Sequence, residues 1–150
     1  MRRKEKQIES MTVIEEMIKN ENVLRLGLSN NNMPYIVPLN YGYHNKTFYV
    51  HCAKEGRKLD MIRKNSNVCI EIDRGHELVT GDVACKYTMK FESIIGFGIA
   101  EILESKEDVK EGLDILMAQF SDLDFTFNEK AMSRVAIIKI EINELTCKKA

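Results

Sequence analysis

The sequence predicts a mainly β fold, an antiparallel barrel of six or seven strands with flanking helices. Three observations carry this. Period-two alternation of apolar and polar residues recurs in short runs separated by tight-turn residues. Only two long stretches show helical spacing, and they lie before and between those runs. Strands joined mainly by short turns favour a closed or nearly closed barrel, because closure removes exposed edges. A chain of 150 residues fits one domain spanning 1–150, with no linker or internal repeat.

Taken in order, residues 7–20 place Ile8, Met11, Ile14, Met17 and Ile18 at helical spacing, predicting an amphipathic N-terminal helix. The barrel is expected over about 23–142. It starts with Leu24, Leu26 and Leu28 on one face of a strand, which Asn30-Asn31-Asn32 ends, since Asn tolerates left-handed backbone angles. A strand over 33–43, the turn His44-Asn45-Lys46 and a strand over 47–53 complete an expected three-stranded meander. A short helix follows over about 56–64, then a strand at Val68–Asp73 and a loop over 74–84. Tyr87 to Leu103 alternates throughout and is read as two strands bent near Glu92-Ser93 or as one bent strand, with Gly96 and Gly98 marking a bulge or close backbone approach. Ser105 is an N-cap with Asp108 three residues on. It opens a helix striped by Val109, Leu113, Leu116, Met117 and Phe120 and ending near Ser121. Residues 122–131 are a loop or short helix, and the β-branched run Arg134 to Ile142 closes the chain as a strand.

Composition narrows the function. Hydrophobic residues make up 44% and charged residues 30%, values of a soluble globular chain. A net charge of −1 argues against a nucleic-acid partner, and the basic start Arg2-Arg3-Lys4 is offset by Glu5 and Glu9. No run approaches the roughly 20 apolar residues of a membrane span, and no apolar segment follows the N-terminal charges, so a cytoplasmic location is expected. Cys52, Cys69, Cys85 and Cys147 lack CxxC spacing and are read as packing residues; no metal site is expected.

The chemistry concentrates in two neighbouring stretches. His51-Cys52-Ala53-Lys54-Glu55-Gly56-Arg57-Lys58-Leu59 runs from an apolar strand through a small-residue turn into a helix start, where backbone N–H groups and cations converge on an anion. Arg gives bidentate contacts to a phosphate and Lys a point charge. Pro38-Leu39-Asn40-Tyr41-Gly42-Tyr43 supplies an aromatic-flanked strand edge suited to a flat ring. Together they suggest flavin mononucleotide (FMN). Tyr41 or Tyr43 is a candidate to stack on it, against the plainer reading of both as strand residues of high β-propensity. His44 and His76 are read as turn and loop residues.

These stretches, with Arg25-Leu26-Gly27-Leu28-Ser29 before them and Tyr87-Thr88-Met89-Lys90-Phe91-Glu92-Ser93-Ile94-Ile95-Gly96-Phe97-Gly98 after them, resemble the pyridoxamine 5'-phosphate oxidase-like FMN-binding split barrels. Within these the chain is most similar to the nitroimidazole-resistance (5-nitroimidazole reductase-like) branch, over roughly residues 2–142. The resemblance implies a six-stranded split barrel that forms a homodimer with FMN at the subunit interface. Carried onto this chain, the Pro38, Leu39, Asn40 and Tyr41 backbone runs along the ring, and His51 and Ala53 line its rim. Lys54, Arg57 and Lys58 lie near the phosphate, with Ser93 as a further polar contact. The implied activity is reduction of nitroaromatic or similar electron-poor small molecules with NAD(P)H, and His51 is the expected proton donor. A flavin carrier without turnover is the alternative, as is a relative holding haem or a deazaflavin. The 74–84 loop has no counterpart in the resemblance.

Overall fold

The computed structural model describes residues 4–150; the Arg2-Arg3 part of the basic start lies outside them. The elements are β1 (Gln7–Ile8), α1 (Met11–Asn20), β2 (Val23–Asn30), β3 (Met33–Asn40), β4 (Gly42–His44), β5 (Thr47–Ala53), α2 (Arg57–Lys64), β6 (Asn67–Val79), β7 (Thr88–Leu103), α3 (Lys106–Ala118), α4 (Glu129–Met132) and β8 (Val135–Lys149). The strands form one antiparallel sheet in the order β3-β2-β6-β7-β8-β5-β4, with β1 paired to β8. The two ends of that order, β3 and β4, are consecutive in the chain. The sheet therefore curls round until one bent segment joins its edges, which is a barrel closed through Tyr41.

Local chemistry sets most of these boundaries. The β2–β3 turn holds Asn31 and Asn32 at φ 49° and 61°, and the β4–β5 turn holds Asn45 and Lys46 at φ 47° and 62°. Both pairs have the two successive positive angles of the hairpin turns whose twist matches that of strands. Leu24, Leu26 and Leu28 face the core with Phe48, Val50, Ile70, Ile72, Ile94, Ile138 and Ile140. Helix α1 buries Ile14, Met17 and Ile18 against this core, and α2 adds Leu59, Met61 and Ile62. A smaller cluster of Tyr49, Val109, Met132 and Ile137 lies under α3 and α4. Helix α3 begins as expected, with the Ser105 side chain accepting from the Asp108 N–H at 3.1 Å. It crosses so close to β4 that a Cβ on Gly42 would lie 2.5 Å from the Ile115 carbonyl oxygen.

The structure corrects several expectations. Ile8 is not helical; it pairs with Cys147 in β1, and α1 starts after Ser10. The segment 23–53 is not a meander, because β3 pairs with β2 while β4 pairs with β5 at the opposite end of the order. Most of the 74–84 loop is strand: β6 runs to Val79 with a bulge between Arg74 and Glu77, so the distortion foreseen on β7 near Glu92-Ser93 lies on its partner. Strand β7 is single. Helix α3 stops at Ala118, leaving Phe120 exposed beyond it. Strand β8 continues past Ile142 to Lys149, with Asn143 bulged out between the Gly98–Ile142 and Phe97–Glu144 pairs.

Candidate functional site

Strand pairing stops where the barrel splits, and the gap between the parted strands is the candidate cleft. Strand β4 pairs with β5 from His44–Thr47 to Gly42–Tyr49 and no further. Continued by two residues, the same register would set Asn40 across from His51; by four, Pro38 across from Ala53. Instead the chain turns at Tyr41 to join β2, so the two strands part. One wall of the opening is the free edge of β3 and the other is that of β5. Proline lacks an N–H and sits in sheets with its nitrogen toward an open edge. Pro34 and Pro38 therefore mark the outward parity of β3, which turns the Ile36 and Asn40 N–H groups into the cleft.

The mouth of this cleft carries the cations. After Ala53 the chain passes Lys54 and reaches Gly56, whose φ of 127° and ψ of 165° belong to a region open essentially to glycine alone. The Leu59 and Asp60 N–H groups both bond to the Gly56 carbonyl, at 3.0 and 3.2 Å. The preceding Arg57 and Lys58 amides stand before this ladder, as the first donors of a helix do. Among the described residues Lys54, Arg57 and Lys58 form no ion pair. The Arg57 guanidinium lies 5.2 Å from the centre of the Tyr35 ring, which ties the start of α2 to β3 across the mouth. His51 and Ala53 are exposed and Cys52 is buried between them, as strand alternation requires. His51 has no hydrogen-bond partner among the described residues.

The structure thus sets Pro38 and Asn40 on one side of the split and His51 and Ala53 on the other, with Lys54, Arg57 and Lys58 just beyond Ala53, whereas the Leu39 side chain packs against the core. Two expectations change. The Tyr41 side chain is fully buried and its hydroxyl donates to the Ile18 carbonyl at 2.6 Å, with burial holding its pKa well above the usual tyrosine value. It cannot stack on a ligand, and with the whole residue buried the exposed edge ends at Asn40. Ser93 pairs with Asp73 and Lys148, ten residues along β7 from Leu103, whose β8 partner Ile137 pairs with His51. Ser93 thus stands on neither of the two strands that bound the opening.

Some residues here were not singled out in the sequence. Tyr35 is one, since only the fold sets it beside Arg57. A second cleft of about 310 Å³ adjoins Lys54 and is lined by Glu104, Lys106, Val109, Glu129, Met132 and Ser133, with a 2.6 Å Lys106–Glu129 ion pair on it. On the outer sheet face Arg25 pairs with Glu71 at 3.1 Å and with Asp73, and Asp73 also holds His76 at 2.6 Å. Burial and neighbouring Asp73 push the Glu71 carboxyl up, against the pull of Arg25. All four cysteines are free, and burial raises the thiols of Cys52, Cys69 and Cys147. No cluster of metal-ligating side chains occurs among the described residues, nor any helix long and apolar enough to cross a membrane.

The fold is a split antiparallel barrel with two free strand edges beside a cationic helix start. The chain belongs to the pyridoxamine 5'-phosphate oxidase family, whose sequence profile matches residues 10–149. A candidate 5-nitroimidazole antibiotic resistance protein from Bacteroides thetaiotaomicron is similar to it at 34% identity and a TM-score of 0.84, covering 95% of this chain and 86% of that one. The flavocytochrome Anf3 from Azotobacter vinelandii matches at 17% identity and TM-score 0.87, over 100% of this chain and 72% of its own. An FAD and haem binding protein from Mycobacterium smegmatis matches at 16% and 0.82, over 97% and 73%. The last two share the fold alone. Comparison with curated proteins found no match. The resemblance read from the motifs is borne out.

Proposed function

We propose that this protein binds FMN in the cleft between β3 and β5 and reduces nitroaromatic or similarly electron-poor small molecules with electrons from NAD(P)H. The observation that carries the reading is the parting of β4 from β5, with two free strand edges leading to three cations that form no ion pair among the described residues. Lys54, Arg57, Lys58 and the first amides of α2 hold the phosphate; the Pro38–Asn40 edge holds the ring through backbone groups. FMN, when bound, supplies the electron transfer, and the protein orients its reactive atoms. His51, exposed on the cleft wall and free of a carboxylate partner, donates a proton to the reduced substrate.

The same reading makes the molecule a homodimer, with a second copy walling the open side of the cleft and Ser93 reaching it from that copy. It is supported by Ile36, Ile95, Phe97 and Ile99, all large, apolar and exposed on the outer sheet face. Absorbance of the purified protein tests the cofactor: flavin bands support the proposal, whereas a Soret band, or a colourless protein with no affinity for added FMN, overturns it. Stopped-flow mixing with NADH and NADPH tests turnover. A flavin that neither donor bleaches makes the protein a carrier.

A further inference from the structure

We propose that the end of the barrel under the β4–β5 turn is a second binding site, for a small, mainly apolar molecule bearing one hydrogen-bond acceptor, such as an aromatic ketone. This goes beyond the flavin reading and does not rest on it.

A cavity of about 210 Å³ opens there. It is larger than a cavity of about 150 Å³ that admits benzene when its walls are apolar. The walls are Ile18 from α1, Phe48 from β5, and Ile142 and Leu145 from β8. The bulge at Asn143 makes room for it: the residue stands outside the β7–β8 ladder, so β8 bends between Ile142 and Leu145. Lys46 and Asn143 form the polar part of the lining, and Met11, 41% exposed, offers a flexible thioether at the edge.

Tyr43 sets the chemistry. It lines the cavity with its ring tilted against Phe48, 5.0 Å between centres, and its hydroxyl is the single buried side-chain polar atom without a hydrogen-bond partner among the described residues. The nearby polar backbone group is the Lys46 N–H, itself a donor. It can satisfy only the hydroxyl oxygen, and the neighbouring Glu15 carboxylate is not within hydrogen-bond distance, which leaves the O–H proton without an acceptor among the described residues. An occupant carrying a carbonyl or similar acceptor completes the hydroxyl while its apolar body fills the space, which a saturated hydrocarbon of the same shape cannot do. The Lys46 turn is separated from Ala53 by the length of β5, about 20 Å, so this site and the cationic mouth are separate.

Acetophenone and ethylbenzene test the proposal, because they differ in one C=O against one CH2. The readout is methyl NMR of the full-length protein as purified, following Met11, Ile18, Ile142 and Leu145. Saturable shifts at those methyls are expected for acetophenone, with ethylbenzene about tenfold weaker, the size of one neutral hydrogen bond. Tyr43→Phe should abolish that preference, and Leu145→Trp, which fills the cavity, should abolish binding of both. Shifts that do not saturate or fall elsewhere overturn the proposal. So does a preference unchanged in Tyr43→Phe, or a bound water that satisfies Tyr43 in a protein with no affinity for either probe.

Discussion

Arg57 combines two roles that substitution can separate. Its charge faces the mouth of the cleft, while its plane rests on Tyr35. Arg57→Lys keeps the charge and loses the planar contact; Arg57→Ala loses both. Charge-assisted contacts contribute ~1.5–3 kcal/mol, and Arg57 is exposed, so the lower end applies. FMN titration followed by flavin fluorescence should show about tenfold weaker binding for Arg57→Ala, an intermediate loss for Arg57→Lys, and a comparable loss for Lys58→Ala. Unchanged affinity in the Arg57→Ala/Lys58→Ala pair refutes the phosphate assignment. Tyr41 illustrates the opposite case, a residue whose chemistry is spent on the fold. The Ile18 carbonyl that it serves also accepts from Gln119 Nε2 at 3.1 Å, and Gln119 further donates to the Lys19 and Glu21 carbonyls at 3.0 and 3.1 Å. Tyr41→Phe therefore leaves no orphaned acceptor and should cost only about 0.5–1 kcal/mol, whereas Gln119→Leu takes this donor from the Lys19 and Glu21 carbonyls at the end of α1, Ile18 keeping Tyr41, and should cost about 1–3 kcal/mol by urea denaturation. The cationic turn was legible in the sequence because its residues are consecutive. Tyr41 was not, because alternation cannot tell which way a side chain points where a strand leaves one neighbour for another.

Among elements, β6 and β7 show why polar strands escape a reading based on hydrophobic period. Beyond Asp73 the pair is held by charge across the ladder, Arg74 to Glu92 at 2.8 Å and Lys90 to Glu77 at 3.1 Å, and Lys149 of β8 reaches Glu92 at 2.7 Å. No apolar alternation remains there to be read, so 74–84 resembled a loop. Strand β8 beyond Ile142, which pairs with β7 as far as Glu92–Lys149, escaped for another reason: the bulge at Asn143 breaks the alternation before Leu145 and Cys147 resume it against the core. Lys149 and then Arg74 hold the Glu92 carboxyl below the usual range. A depressed carboxylate contributes stability above its unfolded pKa, about 4.3, and that contribution is lost as pH falls through the folded value. Glu92→Gln should thus lower stability by up to about 1 kcal/mol at neutral pH and flatten the loss below pH ~4.5. Glu71, with its pKa raised, acts in the opposite sense and weakens the fold as pH rises through its own titration. Thermal melts of both Gln variants across that range separate the two. Gly98 marks the other joint of this ladder: a Cβ there would overlap the Glu141 carbonyl oxygen beside the bulge. Gly98→Ala should cost more than about 3 kcal/mol, since backbone rather than a side chain must move, and soluble yield with a denaturation midpoint measures it.

For the molecule as a whole, closure through one bent segment has a consequence for assembly. The barrel buries most of its inner face, yet across its outer face Ile36, Gly27, Cys69 and Phe97 fall in one row, with Ile95 and Ile99 on either side of Phe97. Ile36 is 68% and Phe97 51% exposed, and Arg25, Glu71 and Asp73 flank the row. The antiparallel pairing class was legible from alternation, though the sheet has eight strands where six or seven were expected, because the two-residue β1 and the split of 33–43 into β3 and β4 leave no separate alternation to read; that the outer parity of β7 is also apolar was visible as an unbroken run, but which face needs a partner emerges only once the sheet has chosen its inside. An apolar centre rimmed by charge is the anatomy of an interface between subunits. If this face joins two copies and sets Ser93 of one beside the cleft of the other, assembly and cofactor affinity are linked, because ligand bound only by the dimer stabilises the dimer. Phe97→Asp places a charge in the centre of the face while leaving the core untouched. Light scattering should show twice the monomer mass for the native chain and the monomer mass for the variant, with circular dichroism unchanged. FMN affinity should fall alongside and recover as protein concentration rises, whereas Ser93→Ala should weaken FMN without shifting mass. A variant that becomes monomeric and keeps its full FMN affinity would show that the cleft of one chain suffices and that the two copies do not share the site.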